Sequence, residues 1–262
     1  MSKPEMGLPV YVISLSRDTN RRPKITAELE RIGIDFTFFD AVDAKDEKNI
    51  ECINMMKGSG DGSVMTNGEI ACTLSHQRIY EEIVSQNNEW AIILEDDVII
   101  DERFKDLLVS LNNGEYNKLS NDNLYLLGGQ KGLHEYPVLG LSLISNLKIG
   151  KINFRRVNFN ISKVRRACCY LISKSMCSNL LELTKTYGTY RADSWNIMYS
   201  RGIIKDFYLS EIISHPIVNN FNSHLESERS LISVKKVKRT KFQKTMKLLR
   251  SWIKVGFFSL LR

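Results

Sequence analysis

The sequence predicts an α/β domain built on a mostly parallel sheet, and two observations predict it. Short runs rich in β-branched and aromatic residues alternate with segments whose apolar residues recur at helical spacing. The first three such segments, within residues 9–42, form a strand–helix–strand unit, which implies parallel pairing. A chain of 262 residues with 43% hydrophobic side chains can bury a full core, which excludes bulk disorder.

The segment PVYVISL (9–15) reads as a buried strand. RDTNRRPKITAELERIG (17–33) comes next, with Ile25, Leu29 and Ile32 on one helical face and Gly33 as a stop. FTFFDAV (36–42) is the second strand and ends at an acid. Ligands of parallel sheets gather at the C-terminal strand ends, so residues 14–22 and 40–46 should border a site. KGSGDGSVMTNGE (57–69) contains neither glycine-rich phosphate-binding fingerprint and reads as a mobile loop. TNGEIACTLSHQRIYEEIVSQ (66–86) predicts a helix opened by a Thr66–Glu69 capping box. Further strands are predicted at 91–94 and at NLYLLGG (123–129), and a short strand leading into a helix over 167–188. FYLSEIISHPIVNNF (207–221) reads as a late pair of strands or extended segments, with His215-Pro216 marking an edge or turn.

The stretch AIILEDDVII (91–100) sets Glu95, Asp96 and Asp97 into an otherwise apolar run. Such acids can simply end a strand, capping the next helix or meeting water. Yet the run continues apolar beyond them, which an exit to solvent does not require. Strand alternation puts Glu95 and Asp97 on one face and Asp96 on the other. Two carboxylates on one face repel unless a cation lies between them, and Mn²⁺ or Mg²⁺ would serve while keeping positions open for a diphosphate. A phosphoryl-transfer site is the rival use, but it calls for a phosphate-cradling glycine loop that the sequence lacks.

Five cysteines without a C-x-x-C pair sit in apolar surroundings, as reduced core thiols would. The first fifteen residues do not resemble a secretory signal, and no run of 18 apolar residues occurs after them, so the expected location is cytoplasmic. The net charge of +7 is concentrated in residues 235–262, which carry ten Lys or Arg and no acid; the body holds 27 basic against 30 acidic residues. The expected division is therefore a domain over 1–233 and a basic tail over 234–262. As a helix, that tail would set cations on one face and leucines and aromatics, Trp252 among them, on the other. It predicts peripheral attachment to an anionic membrane rather than to nucleic acid, because phosphate binding has no use for Phe257-Phe258 and Leu260-Leu261.

Several segments together resemble glycosyltransferase family 25, which includes bacterial lipooligosaccharide galactosyltransferases and collagen galactosyltransferases. They are VYVISLSRDTNRR (10–22), FFDAVDA (38–44), TNGEIACTLSHQRIYEEIV (66–84), WAIILEDDVII (90–100), YLISKSMCSNLL (170–181) and RADSW (191–195). The resemblance implies a GT-A-like nucleotide-sugar-binding fold and inverting transfer, with UDP-galactose the commonest donor. It makes Glu95, Asp96 and Asp97 the metal and donor motif, with Asp97 the direct ligand. It places Ser14, Arg17, Arg21 and Arg22 where the nucleotide is received, and Asp40 and Asp43 near the donor. Each arginine could equally be solvated on a first helical turn, and each aspartate could simply form a turn. Glu69 and His76, seven residues apart on one helical face, are candidate donor contacts; His76 could alternatively steady a metal-binding acid or be a core histidine. Asp193 is the candidate base for the acceptor hydroxyl, with a role in orienting donor hydroxyls as its competitor. A third metal ligand is expected late in the chain, where His224 is preferred over the proline-flanked His215.

The expected function is thus a metal-dependent transferase moving a hexose, galactose by preference, to a lipooligosaccharide or lipopolysaccharide glycan. The expected setting is the cytoplasmic face of a bacterial inner membrane. A nucleotidyl- or phosphotransferase and a non-catalytic membrane-surface adaptor are the alternatives.

Overall fold

The computed structural model describes residues 7–58, 60, 62, 64–133, 136–216 and 240–260. Its centre is one sheet in the order β2 (Thr37–Asp40), β1 (Val10–Ser14), β3 (Trp90–Glu95), β8 (Cys169–Ser173), β5 (Asn123–Gly128), β9 (Asp206–Ser214), β7 (Ile152–Phe159), β6 (Gly140–Ile149). A two-residue strand, β4 (Ile99–Ile100), pairs with the end of β9. Strands β2, β1, β3, β5, β9 and β6 run one way, and β8, β7 and the short β4 oppose them. The sheet is therefore mostly parallel in direction, as the opening strand–helix–strand unit predicts.

Alternation along the strands sorts the core into two layers. In β3, Ile92 and Leu94 face a cluster that includes Ile25 and Leu29 of α1 (Arg21–Arg31) and Phe104, Leu107 and Leu111 of α4 (Glu102–Asn112). Ala91 and Ile93 face the other way, onto Ile79 and Ile83 of α3 (Asn67–Ser85), Leu180 of α5 (Lys174–Tyr187) and Trp195 of α6 (Trp195–Ser200). A short helix, α2 (Ile50–Met56), packs beside α3 around buried Ile53. Helix α3 opens on the expected capping box: the Glu69 N–H donates to the Thr66 hydroxyl, and the Thr66 N–H donates to the Glu69 carboxylate.

Two differences from the sequence reading stand out. The β6–β7 hairpin has no counterpart in it, because β6 breaks its alternation: register shifts between Leu141 and Asn146, and Leu143 and Ile144 both point outward. Residues 207–216 supply one strand and its exit, while 217–221 lie outside the described residues. The boundary expected at 233/234 also lies outside them. The tail does form a helix, α7 (Lys241–Ser259), but it packs against β6 and β7.

Gly128 closes β5 at φ 143°, where a Cβ would meet the Ile213 carbonyl oxygen at 1.9 Å. Gly128→Ala is expected to destabilise the protein by about 2–3 kcal/mol in urea unfolding, through strain and overpacking between β5 and β9. A loss below about 0.5 kcal/mol would contradict this close approach.

Candidate metal and donor site

The three acids sit at the C-terminal end of β3, and strand geometry sends them apart. Asp96 turns toward α1. Its carboxylate accepts from the Ser14 hydroxyl at 2.7 Å and from the Arg21 guanidinium at 2.9 Å. Its charge is thus answered within the protein. Glu95 turns toward α3, where its carboxylate lies 3.6 Å from His76 Nε2. Asp97, just past the strand, has Arg21 at 3.6 Å and His215 Nε2 at 3.4 Å. Ligand atoms of Glu95, Asp97 and His215 all lie within 4.8 Å of one another.

His215 arrives by a long-range route. The Ile99↔Ser214 and Ile100↔Ile213 pairing of β4 with β9 brings the exit of β9 beside the acids. The ring Nδ1 lies 2.7 Å from the Pro216 carbonyl oxygen, which can only accept, so Nδ1 carries the proton. Nε2, which keeps a lone pair unless a second proton binds, faces a carboxylate oxygen. Lone pair against lone pair is repulsive unless a proton or a metal ion intervenes.

Asp97 Oδ1 and His76 Nε2 are buried without a hydrogen-bond partner among the described residues. Burial, then the Glu95 charge, push the Asp97 carboxyl up to about 6. Burial works against the Glu95 charge too, but His76, His215 and Arg21 outweigh it and hold that carboxyl below its usual range. Two carboxylates and an imidazole, with an orphaned oxygen among them, fit Mn²⁺ or Mg²⁺. Cys72, His76 and Glu95 also converge, but His76 is anchored from behind. Its Nδ1 lies 2.7 Å from the Tyr170 hydroxyl, itself 2.9 Å from the Tyr80 hydroxyl. With a carboxylate opposite Nε2, Nδ1 is the acceptor and Tyr170 donates to it. His76 thus stands between that phenol pair and Glu95.

The remaining candidates are spread around these acids. Arg22 hooks the Ser14 and Leu15 carbonyls and pairs with Asp40, tying β1 to β2. Arg17, half-exposed, pairs with Asp43, and that hydrogen bond is the main reason the Asp43 carboxyl lies below its usual range. Ser14 and Arg21 meet the acids directly. Glu69 is buried in its capping role and in an ion pair with Arg191 at 2.8 Å. Asp193 accepts from the Arg166 backbone N–H at 3.1 Å and does not join the acid cluster. His224 lies outside the described residues, and His215 occupies the position expected of a late ligand.

A loop at the same strand ends is not marked by any pattern used above. Arg166 adopts φ 62°, rare for a residue with a side chain, and is pinned on every side. Its carbonyl accepts from Gln130 and from the Trp195 indole, and its guanidinium donates to the Gly129 carbonyl at 2.7 Å. Gly129 (φ 67°) lies so close that a Cβ there would be 2.7 Å from Cys168 Sγ and 3.2 Å from His215 Cβ. The Gly128-Gly129 dipeptide closing the strand predicted at 123–129 is the available signal.

The sequence profile described as "Glycosyltransferase family 25 (LPS biosynthesis protein)" matches residues 8–195. Procollagen galactosyltransferase 1-B of Xenopus laevis is 33% identical over 165 residues, 58% of this chain and 26% of that protein. A glycosyltransferase 25 family member of Aedes aegypti is 37% identical over 111 residues, 39% of this chain and 18% of that one. The inactive glycosyltransferase 25 family member 3 of Homo sapiens is 35% identical over 126 residues, 45% of this chain and 21% of that protein. The chain thus matches only a minor part of these relatives' length. Among solved structures, a glycosyltransferase involved in the glycosylation of the major capsid of PBCV-1 aligns with 87% of this chain and 100% of its own, with a TM-score of 0.42 and 9% identity.

The raised Asp97 carboxyl gives two expectations. A carboxyl lifted on folding favours the protonated native state, so metal-free protein gains stability from this group as pH falls through about 6, and Asp97 charged at neutral pH is destabilising. Asp97→Asn should therefore raise metal-free stability at neutral pH by about 1–3 kcal/mol while abolishing the Mn²⁺-induced rise in Tm. Mn²⁺ affinity of the native protein should fall about tenfold per pH unit below about 6. A pH-independent affinity, or an Asp97→Asn protein still stabilised by Mn²⁺, would contradict the assignment.

Proposed function

Because this chain belongs to glycosyltransferase family 25, we propose that it is a metal-dependent, inverting hexosyltransferase acting on a nucleotide-sugar donor. The observation that carries the metal dependence is the convergence of Glu95, Asp97 and His215 around a buried Asp97 Oδ1 that has no hydrogen-bond partner among the described residues. Mn²⁺ or Mg²⁺ held by these three residues would act as a Lewis acid on charge developing at the departing diphosphate. Arg21, bridging Asp96 and Asp97, fixes the acids from the α1 side, and His76 fixes Glu95 from the α3 side. Ser14 and the arginine-rich start of α1 border the strand ends where the nucleotide is received. Asp193 is assigned the proton of the attacking acceptor hydroxyl, its carboxylate oriented by the Arg166 N–H.

The donor in this reading is UDP-galactose, and the acceptor is the lipid-linked glycan of a lipooligosaccharide or lipopolysaccharide. Support comes from the galactosyltransferase named among the relatives and from the family description. Such an acceptor would meet the enzyme at the cytoplasmic face of the bacterial inner membrane. A second reading, a non-catalytic metal- or nucleotide-binding protein, has a specific motive: one similar human protein is called inactive.

Purified protein incubated with UDP-galactose and Mn²⁺ should release UDP, and a chelator should stop it. Asp193→Asn should lower kcat at least about 100-fold with Mn²⁺ affinity unchanged. Intact donor in the presence of bound Mn²⁺ would favour the non-catalytic reading, and release of phosphate or pyrophosphate in place of UDP would favour nucleotidyl or phosphoryl transfer.

A further inference from the structure

The C-terminal helix is bolted to the body yet leaves much of its apolar surface uncovered. Phe258 stacks on Phe159 with ring centroids 4.3 Å apart and planes 3° from parallel. Asn158 donates to the Phe258 carbonyl, the Ser251 hydroxyl donates to the Pro137 carbonyl, and the Lys247 ammonium lies 4.9 Å from the centre of the Tyr136 ring. These contacts turn Leu248, Val255 and Phe258 inward. At 100° per residue, Phe242, Leu249, Ile253, Phe257 and Leu260 then form an outward stripe with Trp252 at its margin, every one of them more than half exposed. The strand against which α7 packs adds two more apolar side chains. The Ser142 hydroxyl accepts from the N–H groups of Ile144 and Ser145, and this bulge leaves Leu143 and Ile144 each 58% exposed.

We propose that the outer side of α7 and the β6 bulge form one fixed face that seats on an anionic lipid bilayer. Charge selects this occupant. Arg250 and Lys254 flank the outward stripe on one side and Lys241 on the other, with no acid in the helix, so anionic headgroups complement the face, whereas packing α7 against α7 of a second copy would bring like charge against like. Trp252 suits the headgroup level, and the apolar stripe the acyl boundary below it. No helix among the described residues is long and apolar enough to cross a membrane, so the face rests on the bilayer without spanning it. Because α7 is clamped to the sheet, seating orients the whole domain and does not tether it by a loose segment. The inference is independent of the transfer chemistry, and binding is read without turnover.

The 262-residue chain is mixed with phosphatidylcholine vesicles containing or lacking phosphatidylglycerol. Sedimentation with the anionic vesicles is expected, accompanied by a blue shift in tryptophan emission. Trp90 and Trp195 are buried, so that shift belongs to Trp252 and should vanish in Trp252→Phe. Arg250→Gln/Lys254→Gln should weaken binding about fivefold per charge removed. Leu143→Ser/Ile144→Ser, exposed and expected to fold normally, should weaken it severalfold. Protein left in the supernatant, equal binding to neutral vesicles, or a β6 variant that binds like the wild type would overturn the joint face. A lipid-free blue shift that tracks protein concentration and a doubled molecular mass would overturn it in favour of a second copy.

Discussion

Repulsion between Glu95 and Asp97 is the constraint around which this end of the molecule is organised. Both carboxylates are drawn into the protein, and the nearest fixed cation, Arg21, is already bonded to Asp96. A fold that merely needed to end β3 would not place a second carboxylate, an imidazole lone pair and an orphaned oxygen together, because each addition raises the cost of burial. In the proposed reading, a divalent cation completes the arrangement and makes it favourable. The elevated Asp97 carboxyl is the same fact expressed as protonation: without a metal, a proton is the next best partner.

Topology explains how such a cluster is held rigidly. The C-terminal ends of β1, β2, β3, β5 and β9 and the entry to β8 all lie at one edge of the sheet, so Ser14, Asp40, Glu95, the 128–130 turn, Arg166 and His215 gather there from distant parts of the chain. Each helical layer then supplies one anchor: α1 gives Arg21 to Asp96, and α3 gives His76 to Glu95. Burial pushes the Tyr170 and Tyr80 phenols well up, so the relay behind His76 stays neutral and acts as a positioning bracket. On the far side, the Gly128–Gly129 turn and the left-handed Arg166 let three backbones approach closely enough to set His215 in place. Strain of that kind persists only where surrounding contacts enforce it, as Gln130, Trp195 and Asp193 do here.

Much of this is legible in the chain because it depends on local periodicity. The two-residue period of β3 correctly separates Asp96 from Glu95, and the Thr66–Glu69 pair correctly announces α3. What periodicity does not carry is the partner brought by long-range pairing. The proline after His215 counts against it as a ligand in the sequence, yet that proline's carbonyl is what fixes its tautomer. Only the β4–β9 ladder, which joins residues more than a hundred positions apart, brings it to Asp97. Arg17, Arg22, Asp40, Asp43 and Glu69 present the opposite difficulty. These residue types suit donor recognition, but much of their charge is already paired within the group or with Arg191, which composition cannot reveal. The β6–β7 hairpin is hidden for a related reason, since a bulged edge strand presents no clean alternation.

The central claim is that Glu95, Asp97 and His215 close on one divalent cation. Anomalous scattering from crystals grown with Mn²⁺ and UDP tests it most directly. The account predicts a single strong peak within ligand distance of all three side chains, with density for the diphosphate on its open side. A peak elsewhere, or a refined structure in which Asp97 and His215 face each other with no ion between them, would contradict it.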